Sequence, residues 1–218
     1  MSMSLKIIIN GLTSLALLFC LPLLAQTTLT IHNQHNQALK NAVIEIQTQI
    51  AAKTAVVTTE PLIMDQVNKS FVPEVLIVPQ HSAVAFPNSD DIRHHVYSFS
   101  STKTFELKLY ANKPKDPILF DQHGIVVLGC NIHDAMVGYI YVTNNPYTYL
   151  TDEKGQVQLP IPATEIEKID VWHANTTGDI NSRQSFSSFA TKTELKLQLP
   201  TQQPKQRDSF EDVFHHAQ

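Results

Sequence analysis

Cysteine is almost absent from this chain, with 2 among 218 residues, Cys20 and Cys130. That excludes a disulfide framework, a Cys-x-x-Cys zinc or redox pair, and haem attachment through Cys-x-x-Cys-His. Runs of basic residues are missing too. With a formal net charge of -4, the chain is a poor match for a nucleic-acid binder. Charged residues make up 17% and hydrophobic ones 43%, which excludes a disordered polyampholyte. No Gly/Ser linker and no internal repeat divides the sequence. No stretch beyond the N-terminus carries an apolar period of 3.6, so a helical architecture is excluded.

What is present begins with a leader. Lys6 precedes an apolar stretch that is densest from Leu15 to Ala25, and Gln26 and two threonines follow. Asn10, Gly11, Thr13 and Ser14 interrupt the run, leaving it short of the ~20 residues a membrane span needs. The pattern predicts a signal peptide over 1–25, cleaved after Ala25 to leave Gln26 first, with no stable membrane insertion afterwards. Bulky Phe19 before Cys20 is wrong for a lipobox. Cys130 is then the one cysteine of the mature chain, in an oxidising compartment. A thiol survives there when it is buried, paired with another chain, or bound to a metal.

The mature sequence reads as short strands, many with a period of two. They are Thr28–His32, Ala42–Gln47, Val75–Val78, Ala83–Phe86, Val96–Phe99, Phe105–Tyr110, Ile125–Leu128, Tyr139–Val142, Val157–Leu159, Ile169–Trp172 and Leu195–Leu199. Turn signals such as Asn88-Ser89-Asp90-Asp91, Asn144-Asn145-Pro146 and Glu153-Lys154-Gly155 separate them. Residues 163–168 fit one helical turn. The expected class is all-β, a β-sandwich with a small additional β region. The organisation predicted is a leader over 1–25, an N-terminal β segment over 26–60, a strand-dense domain over 61–145, a C-terminal β region over 146–200 and a mobile tail over 201–218.

Chemistry concentrates in the central part. Cys130-Asn131-Ile132-His133-Asp134-Ala135-Met136 is Cys-x2-His-x2-Met on a loop between two predicted strands. Upstream, Arg93-His94-His95-Val96 places a histidine at the start of another strand. A thiolate and two imidazoles in a plane, with a weak axial thioether, make a blue-copper site. One short loop can deliver Cys130, His133 and Met136 to one ion, but the remaining ligand must come from a neighbouring strand. Three of the six glycines, Gly124, Gly129 and Gly138, fall in residues 124–138 and suit close backbone approach around such a loop. Taken singly, a buried Cys or Met is ordinary core. Jointly, the spacing, the upstream histidine and the unpaired thiol of an exported chain point to copper. A Cys–His hydrolase dyad is disfavoured, because its members usually come from distant segments.

These motifs resemble cupredoxins. The loop spacing is similar to that of amicyanin, and Phe86-Pro87-Asn88-Ser89-Asp90 leading to His94-His95-Val96 resembles the segment that brings the first histidine in plastocyanin and amicyanin. The run from His94 to Ser100, with Leu128 to Asp134, also resembles bacterial periplasmic cupredoxin-domain proteins often labelled methylamine utilisation proteins. The resemblance covers about residues 61–145. It implies a Greek-key β-sandwich in the periplasm holding one type 1 copper through His94, Cys130, His133 and Met136. It further implies a one-electron carrier, not an enzyme, working between a protein donor and a protein acceptor. Cys130 would be the main coupling path, and His133 would present its edge near an apolar docking surface. Where plastocyanin-like chains carry Asn after the first ligand, this one has His95. Strand alternation prevents His94 and His95 from reaching one ion, and the His-x-Val register selects His94. His95 is expected to bond a carbonyl or carboxylate, or to reach the cysteine loop.

Two other readings stay open, a copper carrier or sensor without redox turnover and a metal-free interaction module. The flanks, Ile31–Ile46 and Thr151–His173, resemble a carboxypeptidase-regulatory or transthyretin-like β-sandwich. They either pair with each other around the central domain or extend its sheets. His173 follows Trp172, and the pair reads as the edge of a small core.

Overall fold

The computed structural model describes residues 27–48, 57–112, 116–187, 189 and 194–202. The predicted leader, Cys20, Gln26 and most of the tail lie outside these residues. Among the described residues, seventeen strands follow in order. They are β1 (Thr27–His32), β2 (Val43–Thr48), β3 (Leu62–Ile63), β4 (Asp65–Val67), β5 (Ser70–Val72), β6 (Val75–Pro79), β7 (Ser82–Ala85), β8 (His94–Ser98) and β9 (Phe105–Tyr110). Then come β10 (Ile118–Phe120), β11 (Gly124–Gly129), β12 (Val137–Thr143), β13 (Thr148–Leu150), β14 (Gln156–Leu159), β15 (Ile166–Trp172), β16 (Gln184–Ser187) and β17 (Glu194–Gln198). One 3-10 turn covers Ala163–Glu165, where one helical turn is expected. The all-β class and the sandwich with an additional β region are what the structure shows. No helix of the described residues is long and apolar enough to cross a membrane.

The central strands make two layers. One sheet runs β6-β12-β11-β8-β9 and the other β10-β7-β3. Val126 and Leu128 of β11, Ile140 and Val142 of β12, Val96 of β8 and Val84 of β7 interdigitate with Phe86 and Phe120 in the core between them. Period-two geometry sends the alternate residues of β11 and β12 to the opposite face. Those residues, Ile125, Val127, Tyr139 and Tyr141, are buried as well, against Val43 and Trp172. A sheet covered on both faces reads as a continuous apolar run, and Ile125–Leu128 is one.

Val43 and Trp172 belong to the flanks, which pair with each other. β1 lies between β14, antiparallel, and β17, parallel. β2 lies between β13 and β15 in a four-stranded sheet closed by β16. Leu29 and Ile31 of β1 meet Ile44 and Ile46 of β2, with Ile169 and Val171 of β15, in a second core. The chain thus leaves one sandwich after β2, builds the other from β3 to β12, and returns at β13. Thr143 and Asn145 tie this return to β2, through Thr143 Oγ1–H to Glu45 Oε1 (2.6 Å) and Asn145 Nδ2–H to the Ile46 carbonyl (3.0 Å).

Candidate metal centre

The β11–β12 hairpin delivers most of the site. Beyond Gly129, the loop turns over backbone bonds from the His133 amide to the Cys130 carbonyl (3.4 Å) and from the Met136 amide to the His133 carbonyl (2.8 Å). Two successive tight turns send Cys130 and Met136 inward, both buried, and leave Asn131, Ile132, Asp134 and Ala135 exposed. His133 is half-buried. β8 lies beside β11, with Tyr97 paired to Gly129, and brings the fully buried His94 to the same end of the sandwich.

Three donor atoms converge. Cys130 Sγ lies 3.8 Å from Nδ1 of His94 and 3.8 Å from Nδ1 of His133, and the ligand atoms of the three residues all fall within 4.8 Å of one another. The imidazole rings are 5.1 Å apart. Metal–N and metal–S bonds of about 2.0–2.3 Å in a trigonal plane would separate the donors by roughly 3.5–4 Å. The donor set, thiolate with two imidazoles, suits copper. Met136 packs in the same core as Cys130.

Burial is the main cause that holds the His133 imidazole below its ordinary value, with Lys69 adding to it and Asp90 opposing it. The neutral ring that results is the form a metal needs. Tyr97 is pushed up to about 12 by burial and by the charges of Cys130 and Asp134, so it stays a neutral phenol beside the loop.

His94 has a partner that sequence reasoning passed over. Its Nε2 lies 2.7 Å from Asp90 Oδ2. Asp90 also accepts the backbone amides of Asn68 (2.6 Å, Oδ1) and Lys69 (2.9 Å, Oδ2) from the β4–β5 turn. Burial opposes ionisation of Asp90, but these amides and His94 outweigh it and hold the carboxyl below its ordinary value. The signal available in the sequence was Asp90 four residues before a candidate ligand, next to the equally acidic Asp91.

His95 points to the other face. Its Nε2 is 3.0 Å from Glu106 Oε1 on β9, an ion-pair contact without hydrogen-bond alignment, and its ring meets Tyr97 edge-on at 5.6 Å. Of the expected partners His95 meets a carboxylate, in contact and not in a hydrogen bond. Of the three glycines, Gly129 borders the loop and Gly138 lies under Phe71, while Gly124 stands at the far end of β11, against Thr102. The expectation of three glycines around the loop is corrected to two, because β11 spans the full height of the sheet.

No protein-family model matches the chain, and no curated protein matches it. Among solved structures, a Cu-containing nitrite reductase from Thermus scotoductus SA-01 is similar at 26% identity and a TM-score of 0.37, over 44% of this chain. The chain spans a quarter of that one's length, 25%. A purple cupredoxin from Nitrosopumilus maritimus is 20% identical, with a TM-score of 0.34, over 38% of this chain and 100% of its own. A reduced amicyanin variant is 17% identical, with a TM-score of 0.33, over 45% and 99%.

Proposed function

From a cupredoxin-like β-sandwich whose loop end gathers a thiol and two imidazoles, we propose a periplasmic one-electron carrier with one mononuclear copper. Cys130, His94 and His133, with Met136 packed beside them, would hold it. The observation that carries this reading is the convergence of one donor atom each from Cys130, His94 and His133 within 4.8 Å in the protein alone. Copper held there supplies a one-electron couple between Cu(I) and Cu(II). The chain does the rest. Strands β8 and β11 fix two donors from the interior, so a change of charge at the site meets a rigid frame. Half-buried His133, beside Ile132 at 48% exposure, offers an apolar edge to a protein donor or acceptor.

The test is copper titration of the purified mature protein, followed by optical and paramagnetic spectra and voltammetry. An intense thiolate-to-copper band at one equivalent, with a reversible wave, is expected. Cys130→Ser should lose the band and keep its far-ultraviolet dichroism. Absence of the band in the wild type rejects the reading, while a band without a reversible wave would make the protein a copper carrier or sensor.

A further inference from the structure

We propose that Asp90 is a positioning residue that sets the tautomer of His94, so that the free lone pair stands on Nδ1 before any metal arrives. The consequence for metal binding rests on the copper reading above, whereas the tautomer itself does not.

A neutral imidazole has one N–H and one lone pair. His94 is fully buried, so its two nitrogens are assigned by protein neighbours and not by water. An ionised carboxylate only accepts. Asp90 Oδ2, at 2.7 Å from Nε2, therefore requires the hydrogen on Nε2 and leaves Nδ1 bare, facing Cys130 Sγ at 3.8 Å.

The carboxylate is not free to turn away. The amides of Asn68 and Lys69 occupy its two oxygens. Asn88 clamps the loop that carries it, taking the Asp90 amide on Oδ1 (3.1 Å) and donating from Nδ2 to the carbonyls of Ile92 (2.8 Å) and Tyr110 (3.0 Å). Two backbone segments distant in sequence thus aim one charge at the back of one ring. A carboxylate behind a ligating imidazole fixes its orientation and strengthens it as a donor, which favours Cu(II) over Cu(I).

Nitrogen-15 NMR of the metal-free protein reads the tautomer directly. Wild-type His94 should carry its hydrogen on Nε2, and Asp90→Ala should move it wholly or partly to Nδ1, where Cys130 Sγ can accept it. Asp90→Ala should also weaken Cu(II) binding by about 10–100-fold and raise the reduction potential. Asp90→Asn, which keeps one acceptor, should fall between. Ser89→Ala removes the Ser89 Oγ–H bond to Asp65 Oδ2 on the same loop and should leave the tautomer as it is. An Nδ1–H tautomer in the wild type, or an unchanged tautomer in Asp90→Ala, overturns the inference. Failure of the wild type to give a thiolate band overturns the copper reading instead and leaves the tautomer result standing.

Discussion

A buried imidazole must place both nitrogens, and His173 does so far from the candidate centre. Its Nδ1 accepts the Asn175 amide (3.1 Å) and its Nε2–H donates to the Lys40 carbonyl (3.0 Å). Burial lowers its proton affinity below the ordinary 6.5, against the Lys40 carbonyl and Glu74. The unfolded chain therefore takes up this proton at a higher pH than the folded one. Stability should be unaffected by this group above pH ~7, fall as pH drops through ~6.5, and level off below the lowered folded value. Urea midpoints measured from pH 8 to 5 should show that slope, and His173→Gln should flatten part of it; an identical slope in the variant would exclude His173 as its source. The adjacent histidines of β8 should separate just as cleanly. His94→Ala should abolish the thiolate band, whereas His95→Ala, which loses contacts to Glu106 and Tyr97, should change copper affinity by less than ~10-fold, as a copper titration would read. Local spacing made Cys130 and His133 legible as candidates, and the His-x-Val register, together with strand alternation, picked His94 over His95. Asp90 was not, since what distinguishes it from Asp91 is a turn 21 residues upstream.

That turn belongs to the β4–β5 hairpin, an element too short to announce itself. Its strands are three residues each, and Asn68 and Lys69 between them have φ of 52° and 57°. Left-handed geometry at two successive positions is the signature of a tight hairpin turn, but Asn-Lys is a weak form of it beside Asn-Gly. β3, β10, β13 and β16, with two to four residues, were passed over for the same reason, while every strand of five residues or more announced itself through an alternating pattern or a continuous apolar run. The hairpin is seated by Phe71 on Gly138 of β12. A Cβ at Gly138 would lie 2.8 Å from Phe71 Cβ, a stem atom that no rotamer change can move aside. Gly138→Ala should therefore destabilise the fold by about 1–3 kcal/mol and lift the hairpin amides from Asp90. Chemical denaturation gives the first effect and the His94 nitrogen-15 shifts the second. A variant as stable as the wild type would show that the hairpin is seated by something else.

Across the whole molecule, Trp172 is where the two sandwiches meet. It is 1% exposed, its ring lies 5.6 Å from Tyr139 and 5.7 Å from Tyr141, and its Nε1–H donates to the Ile180 carbonyl (2.7 Å). Both tyrosines stand on the outer face of the sheet whose inner face carries the candidate centre's core. Trp172→Ala should cost about 3–5 kcal/mol and uncouple the halves. Unfolding followed by far-ultraviolet dichroism and by the copper band should coincide in the wild type and part in the variant; coincident curves in both would mean that the interface does not couple them. That the flanks pair with each other was not decidable from the sequence, because nothing in a strand's own residues names its partner. The nesting also sets an order of assembly. Strands β3 to β12 are contiguous and can close as soon as they are all made. β1 lies between β14 and β17, so its Leu29 and Ile31 wait for nearly the whole chain, and such distant pairings are slow to form. Synthesis halted before β17 leaves one side of β1 an open edge, ready to take the same strand from another copy.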